Sequence, residues 1–391
     1  MTQTHTAATP AKADLRRNRW LALALTPSLG AIRARKLVEH FGGIDAVFNA
    51  SLTELEAAGL RAEAAQSIAL GKSFEAAEEE LMRAASGGAE ILAFDDPAYP
   101  ANLRNIYDPP VALYVKGSME ALAAPGVAVV GTRHPTPYGI GMAQRLACDL
   151  ASRGLVIFSG MARGVDTCAH KGALEGKGRT VAVWGTGVDV CYPRENKKLA
   201  EQIVANGGTI VSEFAMGTFA APQNFPIRNR IISGLAIGVL VVEAGEYSGT
   251  RITARNALEQ SRDVYAVPGN VTNRQSWGPN TLIKQGAKLV ATWEDVWEEM
   301  PPQVKAALQD RGPNESSAPE TASLFGGDEK LSPHEQRIYK LLRADVATQL
   351  DQIIEQLEPE VSSSEVFAAL FELELSGKVK QMPGKNYVRT F

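Results

Sequence analysis

The chain has 391 residues, enough for two or three domains, and is 45% hydrophobic and 21% charged, the balance of an ordinary globular protein. Its net charge of −4 excludes a protein that holds nucleic acid through a global basic field, so any such site has to be a local patch. Three widely spaced cysteines, Cys148, Cys168 and Cys191, form no CxxC pair, which argues against a disulfide framework or a zinc site and for a reducing, cytoplasmic setting. The polar start MTQTHTAATPAKAD carries no signal-peptide core, and no run of about 18 apolar residues occurs.

Residues 1–14 read as a disordered tail. Residues 15–85 read as a small helical domain that resembles sterile-alpha-motif or helix-hairpin-helix modules. Leu15–Leu25 has helical spacing of apolar positions. Ser28 is expected to cap a helix that ends at Gly42-Gly43, and Ser51 with Glu54 has the spacing of a capping box. Ten Lys+Arg against eleven Asp+Glu over residues 1–90 point to a packing domain without a ligand.

From 90 to 300 short apolar strands alternate with helices. The strands are expected at Val127–Val130, Leu155–Ser159, Thr180–Trp184, Thr209–Phe214, Ile237–Glu243 and Val264–Val267, with helices near 138–153, 166–176, 195–206, 227–234 and 250–261. Such alternation implies an α/β fold, an extended Rossmann-like doubly wound parallel sheet covered on both faces. Residues 301–332, rich in Pro, Ser, Gly and acidic residues, read as a flexible linker. Residues 333–391, three helices and then two short strands around Pro383-Gly384, read as a C-terminal winged helix.

Ligands of open α/β sheets sit at the carboxyl ends of the strands, and four strands here run into small-residue loops. The first, GTRHPTPYGIG, offers Gly131 and Arg133 before a helix whose free N–H groups suit phosphate. Its spacing is not GxGxxG, so a dinucleotide site is not expected, nor is an NAD-dependent oxidoreductase. The second, FSGMARGVDTCAH, holds Ser159, Asp166 and His170. GxSxG is absent and Asp166 and His170 share one helix face, so a cap and a packing histidine are expected rather than a hydrolase triad. The third, AVWGTGVDVCYPRENKKL, puts Arg194, Lys197 and Lys198 at a helix start. The fourth, NFPIRNRIISGLAIGVLVVEAGEYSGTRITARNALEQ, places Arg228, Asn229 and Arg230 before a buried strand and Ser248, Gly249, Thr250 and Arg251 after it. Between Val127 and Arg230 there are twelve Lys+Arg and seven Asp+Glu. That excess points to a basic cleft for a phosphodiester backbone or a nucleotide phosphate.

Taken together, GTRHPTPYG, SGMARGVDTCAH, GTGVDVCYPRENKKL, FPIRNRIISGL, EAGEYSGTRITA, DVYAVPGN and GPNTLIKQGAKLV follow the order of the DNA-processing protein A family, also called Smf, which the chain resembles over residues 20–300. The winged helix is similar to one that many members carry. The resemblance implies a non-catalytic protein that binds and protects incoming single-stranded DNA, loads RecA recombinase on it during natural transformation, and forms a homodimer through the Rossmann-like domain. No cofactor, metal or catalytic residue is implied. The implied single-strand site comprises Gly131, Thr132, Arg133, Arg194, Asn196, Lys197, Arg228, Asn229, Arg230, Ser248, Gly249, Thr250 and Arg251. Tyr192, Phe225 and Tyr247 are candidate platforms for bases, with core packing the competing role of Phe225.

Three features depart from the family pattern. Gly131-Thr132-Arg133 stands where Gly-Ser-Arg is common, a change that keeps a hydroxyl. Arg251 stands where an aliphatic residue is usual. The third helix of the winged unit, SSSEVFAALFELEL, carries Glu365, Glu372 and Glu374 and no cation, so it reads as a protein-interaction element, leaving Lys378, Lys380, Lys385 and Arg389 of the wing for phosphate. The competing reading is an enzyme, because the core also resembles nucleotide-processing phosphoribohydrolases. Their PGGxGTxxE motif is replaced by EAGEYSGTRITA, with Glu243 ahead of the loop and no glutamate in the matching place after it.

Overall fold

The computed structural model describes residues 10–309, 331–344, 346–358 and 361–390. Helices α1 (Pro10–Leu25), α2 (Ala31–Phe41), α3 (Ile44–Asn49), α4 (Leu52–Ala57) and α5 (Ala62–Ala69) pack around Trp20, Leu23, Leu37, Val47, Leu55 and Ile68, and α6 (Lys72–Ser86) sets Ala77 and Ala84 in a second cluster with Leu21 and Ala22 of α1. The capping box at α4 is formed: the Ser51 hydroxyl accepts the Glu54 N–H, and the Glu54 carboxylate accepts the Ser51 N–H at 2.7 Å. Ser28 does not cap α2. It lies in the left-handed region at φ 59°, inside a turn closed by Leu29 N–H to Thr26 O, and α2 starts after Gly30 without a side-chain cap. The same helix ends at Gly42 with φ 75°, a left-handed stop that glycine adopts freely. α1 begins inside the stretch read as a tail, and residues 1–9 lie outside the described residues.

The core opens with β1 (Glu90–Ala93), α7 (Ala101–Arg104), β2 (Ala112–Gly117) and α8 (Met119–Ala123). It continues through β3 (Gly126–Val130), α9 (Pro137–Ser152), β4 (Val156–Ser159), α10 (Val165–Glu175), β5 (Thr180–Val183), α11 (Lys197–Ala205) and β6 (Thr209–Ser212). Then come α12 (Asn224–Leu235), β7 (Gly238–Val241), α13 (Thr250–Glu259), β8 (Asp263–Ala266), α14 (Trp277–Lys284), β9 (Lys288–Leu289) and α15 (Trp293–Glu298). These strands build one sheet in the order β1-β2-β6-β5-β4-β3-β7-β8-β9. Neighbours from β6 to β9 are parallel, whereas β2 runs antiparallel to both β6 and β1. The doubly wound parallel sheet is therefore present, with a mixed edge that the sequence reading left out.

Strand alternation divides the core. Val127 and Val129 face α9 and α10 with Leu146, Leu150 and Ala169, while Ala128 and Val130 face α12 and α13 with Ile231, Leu235 and Ala254. Strands buried on both faces explain why their sequences read as unbroken apolar runs. The chain leaves β3 toward β4, β5 and β6, then returns to β7 on the opposite side of β3. That reversal opens a crevice at the carboxyl ends of β3 and β7, where such sheets take their ligands.

Residues 302–309 are not linker: α16 (Pro302–Gln309) lays Val304 and Leu308, one turn apart, on the cluster around Leu150 and Leu155. The rest of the expected linker, residues 310–330, lies outside the described residues. The C-terminal unit comprises α17 (Pro333–Leu341), β10 (Thr348–Gln349), α18 (Leu350–Leu357), α19 (Ser363–Leu375), β11 (Val379–Met382) and β12 (Asn386–Arg389), with strand order β10-β12-β11. One face of α19 joins the core through Val366, Leu370 and Leu373, and its other face leaves Phe367, Phe371 and Leu375 exposed at four-residue spacing. No helix among the described residues is long and apolar enough to cross a membrane.

Candidate nucleic-acid interface

The carboxyl ends of β3, β4, β5 and β7 bring the predicted residues to one edge, but in different states. Arg133, in the loop after β3, is exposed, and its guanidinium lies over the Phe225 ring at 5.7 Å. Phe225, in the first turn of α12, is half-buried and stacks on Tyr192 with ring centroids 5.6 Å apart and an interplanar angle of 33°. Tyr192 is 45% exposed, so one ring face stays open for a base. Arg194 and Lys197 follow it in the chain and are exposed, as is Lys198. No ion pair engages Arg133, Arg194 or Lys197 among the described residues. The result is a ridge of cation, two rings and further cations.

The other predicted cations are committed elsewhere. Arg228 is 4% exposed. Its Nη1 donates to Gly160 O at 2.7 Å and also to Val183 O, tying the ends of β4 and β5 to α12. Asp166 lies across Gly160, and it accepts the Gly160 and Ala162 N–H groups at 3.1 and 3.3 Å. Only glycine fits between them, because a Cβ at 160 would lie 2.7 Å from Arg228 Nη2 and 2.8 Å from Asp166 Oδ2. Burial lowers the Arg228 pKa to about 10 against the attraction of Asp166, and burial raises that of Asp166 against the attraction of Arg228. Arg230 is paired with Asp108 at 2.8 Å and Glu213 at 2.7 Å. Burial alone would weaken its proton affinity, but those two carboxylates outweigh it and raise the pKa. Arg228 and Arg230 are thus fastenings of α12, not open phosphate hooks. Asn229, between them, is half-buried and accepts from Arg228 Nε at 3.4 Å.

Asn196 is also structural. It is buried and donates to Met161 O at 3.0 Å and Thr167 Oγ1 at 2.9 Å, which anchors the Tyr192–Arg194 loop to the start of α10. Thr132 is buried and its hydroxyl accepts the His134 N–H, shaping the turn that presents Arg133, while Gly131 is half-buried beside Val165. On the β7 side, Ser248 Oγ accepts the Thr250 N–H and donates to Thr250 Oγ1, so both hydroxyls serve the start of α13. Gly249 is exposed. Arg251 donates to Glu246 O at 2.9 Å and covers Trp277 at 5.4 Å. Tyr247 is 91% exposed. Sequence reading missed the bidentate Arg163–Glu195 pair, at 2.6 and 2.7 Å, which braces the Arg194 loop; an Arg after β4 and a Glu beside Arg194 were its only signal.

The would-be triad is not assembled. His170 Nδ1 bonds Thr180 Oγ1 at 2.7 Å, Thr180 Oγ1 donates to Ile157 O, and His170 Nε2 has no partner. The hydroxyl therefore accepts from Nδ1–H. Full burial pushes the His170 pKa down to about 3, so the ring is neutral and structural. Among the described residues no group of three or more His, Cys, Asp or Glu side chains could hold a metal ion. The helix N-terminus that would take a nucleotide phosphate, that of α9, is already filled: Glu243 places its carboxylate there, 2.8 Å from Thr136 N and 2.6 Å from Thr136 Oγ1.

Residues 90–301 match the family model of DNA recombination-mediator protein A. The match runs from the first residue of β1 to the residue before α16 and so contains the entire sheet. Protein Smf of Escherichia coli strain K12 is 41% identical over 300 residues, covering 76% of this chain and 77% of that protein. The chain belongs to the DNA recombination-mediator protein A family. Residues 317–385 match the winged helix domain of the same family. The DNA processing protein DprA of Bacillus subtilis is 43% identical over 215 residues, 55% of this chain and 72% of the relative. The solved structure of DNA processing protein A from Streptococcus pneumoniae superposes with a TM-score of 0.64 at 34% identity, covering 73% of this chain and 98% of that one. Membership places the chain in DNA processing and recombination. Within the family fold, the ridge at Arg133, Phe225, Tyr192 and Arg194 is where open cations and an open ring meet.

Proposed function

We propose that this protein is a non-catalytic mediator that binds single-stranded DNA along the Arg133–Phe225–Tyr192–Arg194 ridge, protects it, and loads RecA recombinase on it during natural transformation. The observation that carries the reading is the pairing of unengaged cations with an exposed ring at the strand ends. A single strand offers phosphates to Arg133, Arg194 and Lys197, and unpaired bases to Tyr192. A duplex buries those base faces and gains only the phosphate contacts. Glu243 in the phosphate position of α9, and a His170 that reaches neither Ser159 nor Asp166, weigh against the phosphoribohydrolase and hydrolase readings. A homodimer through the sheet domain would set two ridges on one strand and raise the apparent affinity. The winged helix acts in protein contacts, because α19 exposes Phe367, Phe371 and Leu375 beside Glu372 and Glu374.

Fluorescence-anisotropy titration with single- and double-stranded forms of one oligonucleotide, with and without RecA, tests this reading. The single strand should bind more tightly, with affinity falling steeply with salt, and RecA should assemble faster on the protein-bound strand. Equal affinity for both forms, or nucleotide turnover abolished by Glu243→Gln, would overturn it.

A further inference from the structure

Glu243 leaves the carboxyl end of β7 and crosses to the loop that follows β3. It is 1% exposed. Its main-chain oxygen accepts the Thr132 N–H at 2.6 Å. Its carboxylate accepts the Thr136 N–H at 2.8 Å through Oε2 and the Thr136 hydroxyl at 2.6 Å through Oε1. One residue therefore grips the loop at both ends, and Arg133 stands between the grips. The Thr136 hydroxyl also accepts the Gly139 N–H at 3.2 Å, which fixes the first turn of α9. Gly139 leaves the space: a Cβ there would lie 2.2 Å from Glu243 Oε2. A carboxylate at a helix N-terminus is favoured by the free N–H groups and the helix dipole, so the arrangement is stable without an outside anion. Burial raises the Glu243 pKa and the Thr136 bonds oppose that rise, as expected for an acceptor held in place by its donors.

We propose that Glu243 is the positioning residue for Arg133: it sets the 132–136 loop so that the guanidinium lies over Phe225 and faces the strand path. The proposal rests on the single-strand reading above. It assigns the buried glutamate that follows β7 to the DNA site, although its side chain touches no DNA.

The test compares Arg133→Ala, Glu243→Ala, Glu243→Gln and the double variant Arg133→Ala/Glu243→Ala of the full chain, in single-strand titrations over a salt series. Thermal unfolding confirms that each is folded at the assay temperature. Arg133→Ala should weaken binding about tenfold, the scale of one charge-assisted contact. Glu243→Ala should match it, and both should lower the slope of log K against log salt by about 0.7, one phosphate fewer. The double variant should be no weaker than either single one. Glu243→Gln should recover most of the affinity, since its amide oxygen can accept the Thr136 N–H and its NH2 can donate to the hydroxyl. A folded Glu243→Ala with wild-type affinity overturns the proposal, as does a double variant whose losses multiply. Should Glu243→Ala not fold, Thr136→Val removes the hydroxyl arm together with the Gly139 cap of α9, while the main-chain bonds at Thr132 and at position 136 remain possible. A weaker, less salt-dependent affinity then supports the proposal and an unchanged one overturns it. Unchanged binding by Arg133→Ala overturns the single-strand reading itself, which separates the two failures.

Discussion

Arg228→Ala is expected to destabilise the fold by about 3–5 kcal/mol, the cost of leaving a buried charge without its partner. The guanidinium is buried, bonds the carbonyls of Gly160 and Val183, and faces Asp166 across Gly160. Without it, two strand ends lose their tie to α12 and the Asp166 carboxylate stays buried without a cation, held by the Gly160 and Ala162 N–H groups. The Asp166 pKa is already raised by burial, and losing Arg228 removes the attraction that opposes the rise. A carboxyl whose folded pKa exceeds its unfolded one costs stability above that pKa and returns it as pH falls. The deficit of Arg228→Ala should therefore shrink in acid. Urea unfolding followed by circular dichroism reads both effects. A normal midpoint together with a large loss of DNA affinity would make Arg228 a phosphate contact instead.

The combined variant Arg133→Ala/Arg194→Ala should behave in the opposite way. Both side chains are exposed and free of ion pairs among the described residues, so unfolding should shift by no more than about 0.5 kcal/mol. Single-strand affinity should fall roughly a hundredfold, as two independent contacts of about tenfold each combine. The salt slope should drop by about 1.4, two phosphates fewer on a single strand. Loss of affinity with an unchanged slope would mean that the arginines shape the ridge without touching phosphate.

Much of this fold is legible in the sequence because its strands are buried on both faces. Runs such as Val127–Val130 and Val239–Val242 leave no polar face to confuse the reading, and the helices between them are bounded by glycines and caps. The mixed edge was harder. β1 pairs antiparallel with β2, the next strand in the chain, but β2 joins the sheet through an antiparallel pairing with β6 some 95 residues on. α16 hides in a Pro-rich stretch because two apolar residues, Val304 and Leu308, suffice to dock it. The site was legible as a count of cations at strand ends, not as a division of labour among them. Arg228, Asn229 and Arg230 are consecutive in sequence, yet their partners are Gly160, Val183, Asp108 and Glu213, which only the fold brings near. Glu243, ahead of the loop that leads into α13, has its partner Thr136 more than 100 residues earlier. Charge counting finds a patch; burial and hydrogen bonds decide which of its members remain free to meet a ligand.

The claim that single-stranded DNA lies on the Tyr192–Phe225 stack is tested most directly by photocrosslinking. A single strand carrying 5-iododeoxyuridine is bound to the full protein, irradiated and digested, and the crosslinked peptides are sequenced by mass spectrometry. The ridge predicts adducts at Tyr192 or Phe225 that are lost in Arg133→Ala/Arg194→Ala. Adducts confined to the winged helix, or to Tyr247 and Trp277 on the β7 side, would contradict it.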